Sequence, residues 1–158
     1  MSGRIEVIAF PGTSGSFSGA AAQEAFPNGQ CAGFPTFPEA AKAVIEGLAD
    51  YALLPVENSF AGAVLPTYSL LEKLPLHIVG ETMKAVRHNL LGVPGATLAG
   101  IRRIASHPQA IAQCDVFLQG MKGVQITPSE NTAISARDVA AQGDLSYVAM
   151  ASVEAARR

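Results

Sequence analysis

The sequence predicts an α/β protein of two βα lobes built on mainly parallel sheets, with a ligand cleft between the lobes. Three observations carry that prediction. Short apolar runs of strand length alternate with segments of helical periodicity, the pattern of a parallel sheet covered by helices. The helix starts share one polar chemistry. The composition, 49% hydrophobic and 15% charged over 158 residues, supplies enough apolar surface for a core without disulfides or metal.

Strand-length apolar runs lie at residues 5–10, 51–56, 101–105, 124–127 and 147–150. After the first, a glycine- and serine-rich turn feeds a helix over 20–26. Thr36-Phe37-Pro38-Glu39 is a capping box: the threonine oxygen accepts the amide three residues on, and Glu39 reaches back. Phe37, Ala41, Val44 and Leu48 then share one helical face, and Gly47 stops the helix. Ser106-His107-Pro108-Gln109 repeats the device, with Ser106 as cap, Ala110, Cys114, Phe117 and Leu118 following, and Gly120 as stop. A third helix is expected over 130–142, closed by Gly143, and a short one from Ser152. The alternation breaks at 77–81 and 86–93, two extended runs with no helix between them. This divides the chain into lobes at 1–75 and 76–158.

A net charge of −2 and the absence of any basic run argue against a nucleic-acid partner. No apolar stretch reaches the ~20 residues of a membrane helix, and the N-terminus lacks an apolar leader, entering a strand pattern at once. A cytoplasmic protein is expected. Cys31 and Cys114 form no CxxC pair, so buried reduced thiols are expected rather than a metal or redox site. The low charge suits a homo-oligomer that covers part of its exterior.

Three polar turns follow the predicted strands, and ligands of open α/β sheets bind beyond the carboxyl ends of strands. The first, residues 10–19, includes Thr13, Ser14, Ser16 and Phe17 and places amides and hydroxyls at a helix start, where partial positive charge favours an anion. Its glycines fit neither a P-loop nor GxGxxG. The second, Glu57-Asn58-Ser59 to Gly62, offers a carboxylate, an amide and a hydroxyl in consecutive positions, a set that suits a helix cap equally well. The third is Ser106-His107-Pro108-Gln109, and Asn131, Thr132 and Ala133 open the last long helix. Together they describe a cleft rich in amides and hydroxyls and poor in full charges, suited to a small carboxylate.

The series of motifs resembles the prephenate dehydratases. Ala9-Phe10-Pro11-Gly12 through Phe17-Ser18 is similar to that family's opening loop. Pro55-Val56-Glu57-Asn58-Ser59 with Gly62 resembles its Pro-hydrophobic-Glu-Asn-Ser motif. Ile78-Val79-Gly80-Glu81 and His88-Asn89-Leu90-Leu91 resemble its crossing strands. Ser106-His107-Pro108-Gln109-Ala110 with Gln113-Cys114, and Asn131-Thr132-Ala133, resemble its later signatures. Order and spacing agree from Ile5 to about Ala156.

The resemblance implies a fold similar to type 2 periplasmic binding proteins. The implied reaction converts prephenate to phenylpyruvate, water and carbon dioxide, late in phenylalanine biosynthesis. It implies no metal or organic cofactor, and an oligomer of two or four chains. Substrate contacts are expected from Thr13, Ser14, Ser16, Phe17, Asn58, Ser59, Gly62, Ser106, His107, Gln109, Thr132 and Ala133. The family's Thr-Arg-Phe segment and ACT domain would follow Ala156 and are not in this sequence; Arg157 and Arg158 belong to the predicted last helix. No catalytic residue is therefore assigned, and Ser14, Ser16 and His107 stand as candidates. Two alternatives remain: a prephenate decarboxylase that retains the ring hydroxyl, and a non-catalytic module binding an aromatic or keto acid. Arogenate, the aminated analogue, is an alternative substrate.

Overall fold

A computed structural model describes residues 4–157, which divide into two compact units between Ala85 and Val86. Residues 1–3, expected to lead into the first strand, and Arg158, expected in the last helix, lie outside the described residues.

In the first unit, β1 (Val7–Pro11) is the central strand of a parallel sheet ordered β2-β1-β3, with β2 at Gln30–Phe34 and β3 at Tyr51–Ala52. Side chains of β1 alternate between two helix-covered faces. Ile8 and Phe10 pack with Ala22 of α1 (Phe17–Ala25) and with Phe26, Cys31, Tyr51 and Leu53. Val7 and Ala9 pack with Ala40, Ala43 and Val44 of α2 (Phe37–Ile45) and with Leu54. The alanines let α2 approach closely, and both units follow the predicted α/β class.

The cap of α2 is the expected one. Thr36 Oγ1 accepts from Glu39 N at 3.3 Å, but Glu39 turns to the Thr36 hydroxyl, 2.8 Å away, instead of to its backbone amide. Gly47 takes the left-handed conformation, φ +71°, just beyond the helix. Leu48 lies past that stop and is exposed, so it leaves the helical face the spacing assigned to it.

The expected strand over 51–56 pairs only at its start. Leu53 N still bonds Ala9 O at 2.8 Å. Pro55 has no N–H to continue the ladder, and the chain leaves the sheet. It then forms a hairpin, β4 (Glu57–Asn58) with β5 (Gly62–Ala63), and a helix, α3 (Leu65–Lys73). Of residues 74–88, the run at 77–81 pairs with no strand among the described residues, and Lys84 forms an ion pair with Glu24 of α1.

The second unit carries a four-stranded sheet ordered β6-β9-β7-β8, with β6 at Asn89–Leu91, β7 at Arg103–Ser106, β8 at Gln125–Pro128 and β9 at Tyr147–Ala151. β7, β8 and β9 are parallel, and β6 runs antiparallel to β9. Tyr147 and Ala149 of β9 meet Val139 of α6 (Thr132–Gln142) on one face. Val148 and Met150 meet Ala110 of α4 (Pro108–Gln113) and Leu118 of α5 (Asp115–Gln119) on the other.

The single helix expected after Ser106 is thus two, broken at Cys114, whose φ of −106° and ψ of 13° leave the helical range. Phe117 is exposed rather than core, because the break rotates α5 relative to the spacing of α4. The helix ending at Gly143 forms as expected, with Gly143 left-handed at φ +66°. Asp144 then caps the turn into β9, its Oδ1 accepting from Ser146 N and Ser146 Oγ, each at 2.8 Å. These two bonds, the backbone one first, hold the Asp144 carboxyl below its usual pKa. The last element, α7 (Val153–Ala156), begins at its cap Ser152. No helix among the described residues is long and apolar enough to cross a membrane.

Candidate active site

In each unit the parallel strands open their carboxyl ends to one edge, and the polar motifs leave from that edge. In the first unit β1 delivers residues 12–16. Gly12 N donates to Phe34 O at the end of β2, 2.7 Å away. A Cβ at Gly33 would stand 2.5 Å from Gly12 O, so the loop and β2 approach as closely as they do only because Gly33 has no side chain. Ser16 N bonds Thr13 O at 3.0 Å, closing the turn. Ser16 is the N-cap of α1, its Oγ accepting from Gly19 N at 3.1 Å. The proton of its hydroxyl is the group it can offer a ligand. Thr13 and Ser14 are exposed, and Phe17 is half-buried as the first residue of α1.

Asn58 and Ser59 sit in the β4–β5 hairpin and not at a helix cap. Asn58 Oδ1 accepts from Phe60 N at 2.9 Å and Ala61 N at 3.1 Å, while Gly62, at φ +76°, reverses the chain. Glu57 and Ser59 are exposed. The base of the hairpin is clamped twice. Val64 N donates to Val56 O at 2.9 Å, and the hydroxyl of Thr67, fully buried in α3, donates to Pro55 O at 2.6 Å. Sequence reasoning missed Thr67, which Tyr68 and Ser69 follow directly, so nothing in the local sequence marks its hydroxyl as the buried one.

The second unit brings its motif residues together at one edge. Ser106 ends β7 and is fully buried, its hydroxyl donating to Met150 O at 2.6 Å. It is therefore not the helix cap the sequence suggested. The next residue caps instead: His107 Nδ1 accepts from Gln109 N at 3.1 Å. Pro108 accounts for this, because the residue before a proline is held extended, as a cap must be. A neutral His107 accepting at Nδ1 carries its proton on Nε2 and presents a donor there. Gln109 is exposed.

From β8, Ser129 N donates to Ser106 O at 2.8 Å. Asn131 caps α6, its Oδ1 accepting from Ile134 N at 2.8 Å. Ser129 Oγ and Ser135 Oγ both lie within hydrogen-bond distance of Asn131 O and of each other, so one hydroxyl donates to the carbonyl and the other to its neighbour or to the same carbonyl in turn. Thr132 and Ala133, the first residues of α6, are each 9% exposed. Ser152, buried at the end of β9, accepts from Ala155 N at 3.1 Å. Asn89 of the antiparallel β6 pairs with Ala151, which places it at this same edge. Ser129 escaped the sequence reading because it is a lone serine outside a motif, and Ser152 was read only as the start of the last helix.

The groups at the two edges are mostly hydroxyls and amides, with the His107 imidazole and the carboxylates of Glu57 and Glu130 in the motif loops. Both thiols lie elsewhere: Cys31 packs on the α1 face of the first sheet and Cys114 on the α4 face of the second, and burial pushes both pKa values up.

The prephenate dehydratase family matches across residues 8–158. The chain belongs to the prephenate dehydratase family. It is 39% identical over 150 residues to arogenate dehydratase/prephenate dehydratase 2, chloroplastic, of Arabidopsis thaliana, covering 95% of this chain and 39% of that one. Among solved structures it resembles a quorum-quenching acylase, GqqA, with TM-score 0.85 and 40% identity over 96% of this chain and 55% of that one. It also resembles prephenate dehydratase from Arthrobacter aurescens in complex with L-Phe, with TM-score 0.74 and 25% identity over 96% of this chain and 51% of that one. The chain thus spans about two-fifths of the length of the plant relative and about half of each solved chain. Two α/β units with mainly parallel strands agree with the fold of these dehydratases.

Proposed function

We propose that this chain is the catalytic part of a dehydratase that converts prephenate to phenylpyruvate, water and carbon dioxide. The observation that carries the reading is the placement of the family's motifs. The loops at residues 12–16, 107–109 and 129–133 leave the carboxyl ends of parallel strands in two mainly parallel sheets, where ligands of such sheets bind.

In the reaction the bond between the ring and its carboxylate breaks, and that electron pair enters the ring. The bond to the ring hydroxyl breaks in turn, and the oxygen leaves as water on receiving a proton. Aromatisation supplies the driving force. The protein must hold two carboxylates, leave one poorly solvated so that it departs, and donate a proton to the oxygen.

The motif residues fit those tasks as donors. Thr13, Ser14, Ser16 and Phe17, with Asn58, Ser59 and Gly62, form the first unit's contribution. His107, Gln109, Thr132 and Ala133, together with the strand end held by Ser106, form the second's. Ser16, with its oxygen engaged by Gly19 N, and His107, with Nδ1 engaged by Gln109 N, each present an X–H group. They are the candidates for assisting the departing hydroxyl, and Ser14 is a third.

The donors are mostly neutral, which suits the keto acid prephenate. Arogenate replaces the keto group with an ammonium and would draw on Glu57. The reading includes a homo-oligomer, since apolar side chains such as Phe60, Leu65, Ile78 and Val116 are exposed. Incubation with prephenate and with arogenate at neutral pH, products resolved by mass spectrometry, tests the reading. Phenylpyruvate from prephenate above the no-enzyme control supports it. A non-aromatic dihydro product means decarboxylation with the hydroxyl retained, and saturable binding with unchanged prephenate means a binding module.

A further inference from the structure

Ser106 stands where three strand ends meet in the second unit. Its side chain has no solvent exposure. The backbone ladder between β7 and β9 has its last pair at Ala105 and Ala149. The Ser106 hydroxyl carries the connection one residue further, donating to Met150 O at 2.6 Å. On the other side its carbonyl accepts from Ser129 N at 2.8 Å, just past the end of β8. One residue therefore ties the ends of β7, β8 and β9.

Each tied end leads within two residues to a capping side chain: His107 after Ser106, Asn131 after Ser129 and Ser152 after Met150. These caps set where α4, α6 and α7 begin, and hence where the motif residues Gln109, Thr132 and Ala133 stand. A hydroxyl has one proton, and here it is committed to Met150 O inside the core. Without it, that carbonyl loses its side-chain partner in a dry environment, a costly state that strand ends relieve by moving apart. Binding sites tolerate displacements of only about 0.5 Å before affinity falls.

We propose that Ser106 is a positioning residue of this site, fixing His107 and the starts of α6 and α7 through its tie to Met150 O and Ser129 N, and not touching substrate. This deepens the dehydratase reading and rests on it for the kinetic arm of its test.

The test uses the full chain with Ser106→Ala and Ser106→Cys. Cysteine keeps a side chain of similar shape but is a weak donor, so it preserves packing where alanine leaves a gap. Two readouts need no substrate. The nitrogen NMR signals of His107 report whether one tautomer, accepting at Nδ1, is held. Amide exchange at Ile134 and Ala155 reports the caps made by Asn131 and Ser152. The third readout is the pair KM and kcat for prephenate.

In both variants the proposal expects exchange at Ile134 and Ala155 to quicken about tenfold and the His107 signals to move towards a mixture of tautomers. KM is expected to rise about tenfold with a smaller change in kcat. A raised KM with His107 and both amides as in the parent protein would make Ser106 a direct substrate contact and overturn the proposal. Parent-like values in all three readouts overturn it too. Should the parent protein turn over neither prephenate nor arogenate, the dehydratase reading fails, while the NMR and exchange results still decide the tie.

Discussion

The clamp under the Glu57–Ser59 turn offers a perturbation whose size can be worked out. Thr67→Val exchanges the hydroxyl that donates to Pro55 O for a methyl of nearly the same shape. The lost bond leaves a carbonyl unpaired beside a fully buried side chain, which costs about 1–3 kcal/mol. Burying the extra methyl returns about 0.8 kcal/mol. The net expectation is a loss of about 1–2 kcal/mol from the first unit. For a unit of this size the urea dependence is about 1 kcal/mol per molar, so the midpoint falls by about 1–2 M. Urea unfolding followed by circular dichroism, with amide exchange at Phe60 and Ala61 to locate the change, measures it. Thr67→Ser keeps the donor and should lose only the methyl's contribution, about 0.8 kcal/mol. A Thr67→Val protein as stable as the parent, with Phe60 and Ala61 equally protected, refutes the clamp.

Three other expectations concern the rest of the chain. Asn131→Ala removes the acceptor of Ile134 N and should cost about 1 kcal/mol, read as a fall in the melting temperature of the second unit of about 4–8 °C; an unchanged melting temperature contradicts it. Because burial raises the pKa of Cys31 and Cys114, little thiolate forms near neutrality. Alkylation at pH 8 should be slower than for free cysteine and should reach that rate only in denaturant. Asp144 has its folded pKa below its unfolded one, so it binds its proton more weakly when folded. Its contribution to stability is complete above the unfolded pKa and disappears as pH falls through the folded value. The stability difference between the parent and Asp144→Ala should therefore be present at pH 6 and vanish in strong acid; a difference that persists there counts against the hydrogen bonds to Ser146 as its origin.

Elements with strong local chemistry were legible in the sequence. Thr36 marked a helix start through a side chain that bonds backbone, and Gly143 a helix end through the left-handed conformation glycine tolerates; the structure shows both. Strand β9 was legible because all five of its residues are buried and apolar. What escaped depends on partners far along the chain. β2, Gln30–Phe34, carries no element predicted from the sequence, yet it pairs with β1, and Gly33 admits the Gly12 carbonyl. α3 has no side-chain cap and begins at the base of a hairpin whose polar residues suited a ligand turn or a helix cap equally well. At the candidate site the motifs lie near strand ends, as the spacing suggested, but the bonds each residue makes there were not legible. Ser106 read as a cap, while its hydroxyl serves β9, 44 residues away. No spacing rule reports such a bond.

The central claim is that these motifs act on prephenate. The most direct measurement is incubation of the purified 158-residue chain, its intact mass verified, with prephenate at neutral pH, where acid-driven breakdown does not interfere. The account predicts phenylpyruvate above the no-enzyme control, in proportion to protein. Prephenate recovered unchanged at high protein concentration would contradict it.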